Sequence, residues 1–113
     1  MSDFTNNLSQ AELERLAILA EEMGEAQQII GKIIRHGYES YNPTLIQNQM
    51  DGVPKLTNRE MLEKELGDVS AAINLMNLGG DIDRDAIQGH SIAKMKSVNK
   101  WLHHFTVNVP QEN

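Results

Sequence analysis

Two short acidic motifs hold the residues best suited to chemistry in this sequence. Glu21, Glu22 and Glu25 lie in "EEMGE", and Glu65 and Asp68 lie in "ELGD". Within each motif two carboxylates are three residues apart, a spacing that places them on the same side of a helix. Carboxylate oxygens without imidazole or thiolate partners favour Mg²⁺ or Mn²⁺. The two motifs therefore indicate a site for a divalent cation.

Each acidic pair interrupts an apolar stripe. The stripe through the first motif consists of Ile18, Glu22, Glu25 and Ile29, and the stripe through the second consists of Met61, Glu65, Asp68, Ala72 and Leu75. If two helices pack antiparallel with these stripes facing, the four carboxylates converge on one partly desolvated spot. Two like charges 4 Å apart cost about 4 kcal/mol at an effective dielectric of about 20, so such a cluster needs protons or cations. The alternative is that all four are ordinary solvated acids, which the repeated spacing disfavours.

Capping signals predict three helices around these motifs. The capping boxes "SQAE" and "TNRE" open helices over about 10–36 and 58–78, and a long loop over 37–57 joins them. After the Gly-Gly pair, Asp81 or Asp83 can cap a third helix. The apolar residues predicted on this third helix are Ile87, Met95, Val98, Leu102 and Phe105.

The apolar pattern predicts an all-α fold whose core is completed by oligomerisation. On the first helix the broad apolar arc predicted to face the core contains Leu16, Leu19, Ala20, Met23, Ile30 and Ile34. On the second helix the core stripe contains Leu62, Leu66, Val69, Ile73 and Met76. We expect a helical bundle in which the third helix covers one side. Apolar residues on more than one face predict a homodimer or a dimer of dimers.

Composition narrows the possible functions. The chain of 113 residues predicts one domain over 1–113, with 106–113 as a frayed tail. It has no cysteine, which excludes disulfides and thiolate zinc sites, and its formal charge of −6 disfavours nucleic-acid polymers as partners. Neither a secretory leader pattern nor a membrane-spanning apolar run is seen, so we expect a cytoplasmic protein without a membrane partner.

The order Glu-Glu-x-x-Glu followed by Glu-x-x-Asp resembles the MazG-type all-alpha nucleoside triphosphate pyrophosphohydrolases, in a superfamily that includes dimeric dUTPases and phosphoribosyl-ATP pyrophosphatases. The resemblance covers both core helices and the "ELGDVSAAINLM" context. It implies that Glu22, Glu25, Glu65 and Asp68 bind Mg²⁺, with Mn²⁺ as a possible substitute. It also implies hydrolysis of a nucleoside triphosphate to a monophosphate and pyrophosphate. Glu21, Glu22 and Glu25 are the catalytic candidates, with Glu21 as a water-orienting group because it points away from the pair.

Substrate-binding candidates are isolated cations and aromatic residues. No glycine-rich phosphate loop occurs, so the phosphates must be held by metal and by basic side chains. The candidates are Lys32, Arg35 and His36 at the end of the first helix and Lys94 on the third. Tyr38 and Tyr41 could stack on a base, or could simply pack the loop against the helices. Each cation could equally be a solvated surface charge.

Two other functions stay open. The interval between Glu25 and Glu65 is longer than is usual in the family that the motifs resemble, and the additional residues lie in the long loop. A dedicated dUTP or phosphoribosyl-ATP pyrophosphatase is therefore one alternative. The other is a non-catalytic helical protein of the same fold that binds a nucleotide or a partner, although a scaffold without activity would not need four carboxylates.

Overall fold

Three α-helices and a short 3-10 helix make up the part of the chain that the structure describes. The structure is a computed structural model, and it describes residues 5–41 and 56–109. Helix α1 spans Gln10–His36, α2 spans Asn58–Leu78, α3 spans Arg84–Ser97, and the 3-10 helix spans Val98–Trp101. No strand occurs within these two ranges, which confirms the all-α prediction. None of these helices combines the length and the apolar character needed to cross a membrane.

Both predicted capping boxes are present, and the predicted bounds of α1 and α2 are confirmed. The Ser9 hydroxyl accepts a hydrogen bond from the Glu12 backbone N–H at 3.1 Å, and the Glu12 carboxylate accepts one from the Ser9 N–H at 2.8 Å. Thr57 and Glu60 repeat this exchange at the start of α2. Each box satisfies two backbone donors that a helix start otherwise leaves unpaired.

Helices α1 and α2 are antiparallel, and polar contacts join them at both ends. At one end Arg15, near the start of α1, makes two hydrogen bonds to the Asp81 carboxylate just after α2, at 2.6 and 2.9 Å. Gly79 lies against this pair, since a Cβ built on it would be 2.5 Å from the Arg15 guanidinium. Asp81 and Asp83 were both predicted as possible caps of α3. Asp83 is the cap, and its carboxylate accepts a hydrogen bond from the Asp85 backbone N–H.

The opposite end of the helix pair is held by a group of contacts that we call the clasp, formed by residues 37–40 and 58–59. The backbone N–H groups of Asn58 and Arg59 donate to the carbonyls of Ser40 and Tyr38, each at 2.8 Å. The buried Asn58 side chain donates to the Gly37 carbonyl at 3.1 Å. Of the predicted loop over 37–57, residues 42–55 lie outside the described residues.

The packed surface between α1 and α2 differs from the predicted core. The buried apolar residues are Ala26, Ile29, Ala72 and Met76. The predicted arc of α1 is largely exposed, with 55% of Met23 and 79% of Ile34 accessible. Met76 belongs to the predicted core stripe of α2, whereas Ile29 and Ala72 belong to the stripes that carry the acids. The single chain therefore buries only part of the predicted core and leaves the arc of α1 largely exposed.

The third helix is shorter than predicted and does not cover the helix pair. Helix α3 ends at Ser97, so Val98 lies in the 3-10 helix, and Leu102 and Phe105 lie beyond both. Beyond α3, the Asn99 side chain donates to the Val107 carbonyl and accepts from the Val107 N–H, each at 2.7 Å. No residue of α3 is buried.

Candidate metal centre

Four carboxylates from α1 and α2 converge at the middle of the helix pair. One oxygen from each of Glu22, Glu25, Glu65 and Asp68 can be chosen so that all four atoms lie within 4.8 Å of one another. The convergence follows from the packing described above, because the acidic stripes themselves form the contact between the helices. The structure thus brings together the four residues that the sequence predicts to meet.

Glu65 is the most buried member of this group. Only 7% of the residue is exposed, and its Oε2 atom is buried without a hydrogen-bond partner among the described residues. Glu22 Oε2 is buried and unpartnered in the same way. Burial raises the pKa of Glu65, and the adjacent Glu25 carboxyl raises it further. A buried oxygen without a partner is destabilising, and a bound cation would remove that penalty.

The donor set fits a small, hard divalent cation. Mg²⁺ takes oxygen ligands at about 2.0–2.1 Å in an octahedron, which separates neighbouring ligand atoms by about 3 Å and opposite ones by about 4 Å. The spread of 4.8 Å is close to this range, so small side-chain rotations would bring the oxygens into place. Four protein ligands do not fill six positions, and the remaining positions suit water or phosphate oxygens.

Lys64 is the neighbour of this cluster that sequence reasoning missed. Its ammonium Nζ lies 3.0 Å from Asp68 Oδ2 and 3.8 Å from Glu65 Oε1. The hydrogen bond to Asp68 raises the pKa of Lys64. The signal was available, because a lysine four residues before Asp68 lies on the same side of the helix as Asp68.

The other predicted site residues lie around the cluster at varying distances. Glu21 is exposed on α1 beside Glu22 and is outside the converging group. Lys32 is partly buried and follows Glu25 by seven residues, which places it on the same side of α1 about 10 Å further along. Arg35 and His36 are exposed in the last turn of α1, and Lys94 is exposed on α3. In the described ranges, no salt bridge joins any of these cations to the four acids.

The loop aromatics are only partly available for a base. The Arg59 guanidinium stacks over the Tyr38 ring at 4.3 Å, and Arg59 also pairs with Glu39 at 2.6 Å. One face of Tyr38 is therefore used within the clasp, although 47% of the residue is exposed. Tyr41 is also exposed.

Two depressions border α2. A polar one of about 590 Å³ lies between the second half of α2 and the start of α3, and Asn74, Asn77 and Arg84 help to line it. At 100° per residue this side of α2 faces away from Glu65 and Asp68. An apolar one of about 440 Å³ is lined partly by Met23, Ile30 and Leu66. Met23 lies between Glu22 and Glu25 in the sequence, and Leu66 lies between Glu65 and Asp68, so this depression lies next to both acidic motifs.

Comparison with known proteins adds no relative from which a function could be transferred. This chain matches no family model, no curated protein and no solved structure. The likeness to MazG-type enzymes therefore depends on the two acidic motifs, and the function has to be argued from the geometry of the four carboxylates.

Proposed function

We propose that this protein is a MazG-like, Mg²⁺-dependent nucleoside triphosphate pyrophosphohydrolase. The observation that carries the proposal is the convergence of Glu22, Glu25, Glu65 and Asp68 within 4.8 Å, with a buried and unpartnered oxygen on Glu65. A helix contact that served stability alone would be expected to bury apolar side chains at these positions. Four acids at the contact are instead typical of a cation site.

Each residue has a distinct role in this proposal. Glu22, Glu25, Glu65 and Asp68 hold the metal, which when bound neutralises phosphate charge and lowers the pKa of a coordinated water. Glu21 is exposed at the edge of the cluster, where a carboxylate can orient the attacking water and accept its proton. Lys32, two turns along α1, is placed to meet an extended phosphate chain, and Arg35, His36 and Lys94 are further candidates.

We also propose that the working form is a homodimer or a dimer of dimers. The single chain leaves a large apolar surface on α1 and α2, including Leu16, Met23, Ile30 and Leu66, each at least 40% exposed. Helix α3 has 14 residues and none of them is buried, and an isolated helix of that length is marginal in water. A second copy of the chain offers both an apolar face and an exposed helix to pack against the first.

The direct test is hydrolysis of a nucleotide panel with Mg²⁺, with the products identified. We expect nucleoside monophosphate and pyrophosphate, and in ¹⁸O-labelled water the label should enter the monophosphate. Glu22→Gln and Asp68→Asn should each lower the rate at least about a hundredfold, as the loss of a major electrostatic or acid-base group does. Glu63→Gln removes the same charge from an exposed position of α2 and should leave the rate nearly unchanged.

Three results would contradict the proposal. They are hydrolysis of the nucleotide to orthophosphate and a diphosphate by the pure protein, full activity in both Glu22→Gln and Asp68→Asn, or no hydrolysis of any nucleotide. Circular dichroism of each variant checks that the helices persist, which we expect because the amides nearly preserve side-chain shape.

A further inference from the structure

Lys64 holds a positive charge beside the carboxylate cluster. Its ammonium is 3.0 Å from Asp68 Oδ2 and 3.8 Å from Glu65 Oε1, and these are two of the four converging carboxylates. The ammonium thus neutralises part of the negative charge of the cluster, and it belongs to α2, as Glu65 and Asp68 do. It contacts only the α2 half of the group, so the carboxylates of α1 gain no salt bridge from it in the described residues.

A lysine ammonium and a divalent cation held by the same carboxylates would repel each other. The ammonium contacts Asp68 and Glu65, so a cation bound by these two residues would lie near it. Lys64 can leave without disturbing the backbone, because 55% of its side chain is exposed and it has a flexible stem on the outer side of the contact. Glu65, by contrast, is held in the contact.

We propose that Lys64 is a built-in counter-ion of the carboxylate cluster, which an incoming metal must displace. The proposal rests on the metal site of the proposed function and deepens it, because it assigns to this chain a residue that weakens the affinity for free metal. In the metal-free protein Lys64 offsets part of the repulsion among the acids. On metal binding it gives up its contacts with Asp68 and Glu65 and turns into solvent.

The test measures Mn²⁺ affinity of the full-length protein by titration calorimetry, with no nucleotide present. In Lys64→Met the competing charge is gone while the side-chain length and helix propensity are kept, so Mn²⁺ should bind at least about threefold more tightly. This factor lies within the range measured for loss of an exposed ion pair. Lys64→Arg keeps the charge and should bind Mn²⁺ as the parent protein does.

Lys100→Met is the matched control, because it removes the same formal charge from the 3-10 helix, where the ammonium lies over the Trp101 ring and not beside the acids. It should leave Mn²⁺ affinity within error of the parent value. Lys64→Gln provides a second neutral variant in case the methionine protein folds poorly, and it should show the same gain.

The outcomes separate this proposal from the one on which it rests. If Lys64→Met binds Mn²⁺ with the same affinity as the parent or more weakly, the counter-ion role is wrong, whereas the metal site is still supported. An equal gain in Lys64→Arg shows that charge is not the cause and overturns the counter-ion role as well. Absence of Mn²⁺ binding in every variant overturns the metal site and this inference together.

Discussion

Glu65→Gln should make the metal-free protein more stable while removing most of its response to metal. Glu65 is the one buried member of the carboxylate cluster, and its Oε2 atom has no hydrogen-bond partner in the part of the chain that the structure describes. A glutamine has nearly the same shape, carries no charge, and can donate hydrogen bonds to the neighbouring carboxylates. The substitution therefore relieves repulsion in the metal-free state and removes a ligand from the metal-bound state.

The magnitude can be bounded from the geometry. The separations are at most 4.8 Å, so at an effective dielectric of about 20 each ionised pair costs at least about 3.5 kcal/mol. Lys64 offsets part of this, and the cluster can also bind a proton. At pH 7, protonating a carboxyl whose ordinary pKa is 4.5 costs about 3.4 kcal/mol, which sets the upper limit of the gain. We expect Glu65→Gln to raise the free energy of unfolding by about 1–3 kcal/mol in EDTA.

The pH dependence has a definite sign. Burial and Glu25 raise the pKa of Glu65, so the folded state binds this proton more tightly than the unfolded state does. The stability that Glu65 contributes is fully present below its ordinary pKa of 4.5 and is lost as the pH rises through the higher folded-state pKa. The advantage of Glu65→Gln should therefore be absent near pH 4 and should grow toward neutral pH.

Urea unfolding followed by circular dichroism, with EDTA or saturating Mg²⁺, measures both effects. A metal at about 100 times its dissociation constant stabilises the parent by about 2.7 kcal/mol, and Glu65→Gln should lose most of this gain. Glu63→Gln removes an exposed charge from the same helix and should behave as the parent does in both conditions. The reasoning is refuted if Glu65→Gln is less stable than the parent in EDTA, or if Mg²⁺ stabilises the two proteins equally.

Three further predictions concern the fold and the oligomer. Arg15 lowers the pKa of Asp81, so Asp81→Asn should lower the melting temperature at pH 7, and the difference from the parent should close only as the pH falls through the lowered pKa, below 3.8. Gly79→Ala should lower the melting temperature too, because its Cβ displaces the Arg15 guanidinium from Asp81. If both changes act through the Arg15–Asp81 pair, the losses should not add in the double variant Gly79→Ala with Asp81→Asn, and additive losses would contradict this. Light scattering should give a mass that is a multiple of 12.7 kDa, and Met23→Glu should reduce it. A mass of 12.7 kDa for the parent at all micromolar concentrations would refute the oligomer.

The sequence predicted the helices that carry the acids and the pairing of the acids on one side of each helix, because those features depend on local signals. The prediction that the two pairs meet also needed the assumption that the acidic stripes face each other. A capping box fixes where a helix starts, and a spacing of three residues fixes which side chains share a face. Which face of each helix is buried does not depend on local signals, because two apolar surfaces of similar extent compete for the contact. Met23 and Ile34 looked like core because they form the broader arc, yet the chain buries Ile29 and Glu65 instead. Similarly, no local signal shows that α3 ends at Ser97 or that the Asn99 side chain bonds Val107.

The clasp has a consequence for how this protein can change over evolution. The hydrogen bonds of Asn58 and Arg59 to residues 38–40 hold the end of α1 against the start of α2, and Arg15 with Asp81 fixes the other end. Contacts at both ends of the helix pair thus fix the register of the two acidic motifs. The residues that form these contacts should therefore change less freely during evolution than other exposed residues of the two helices, because their loss would let the carboxylates shift relative to one another.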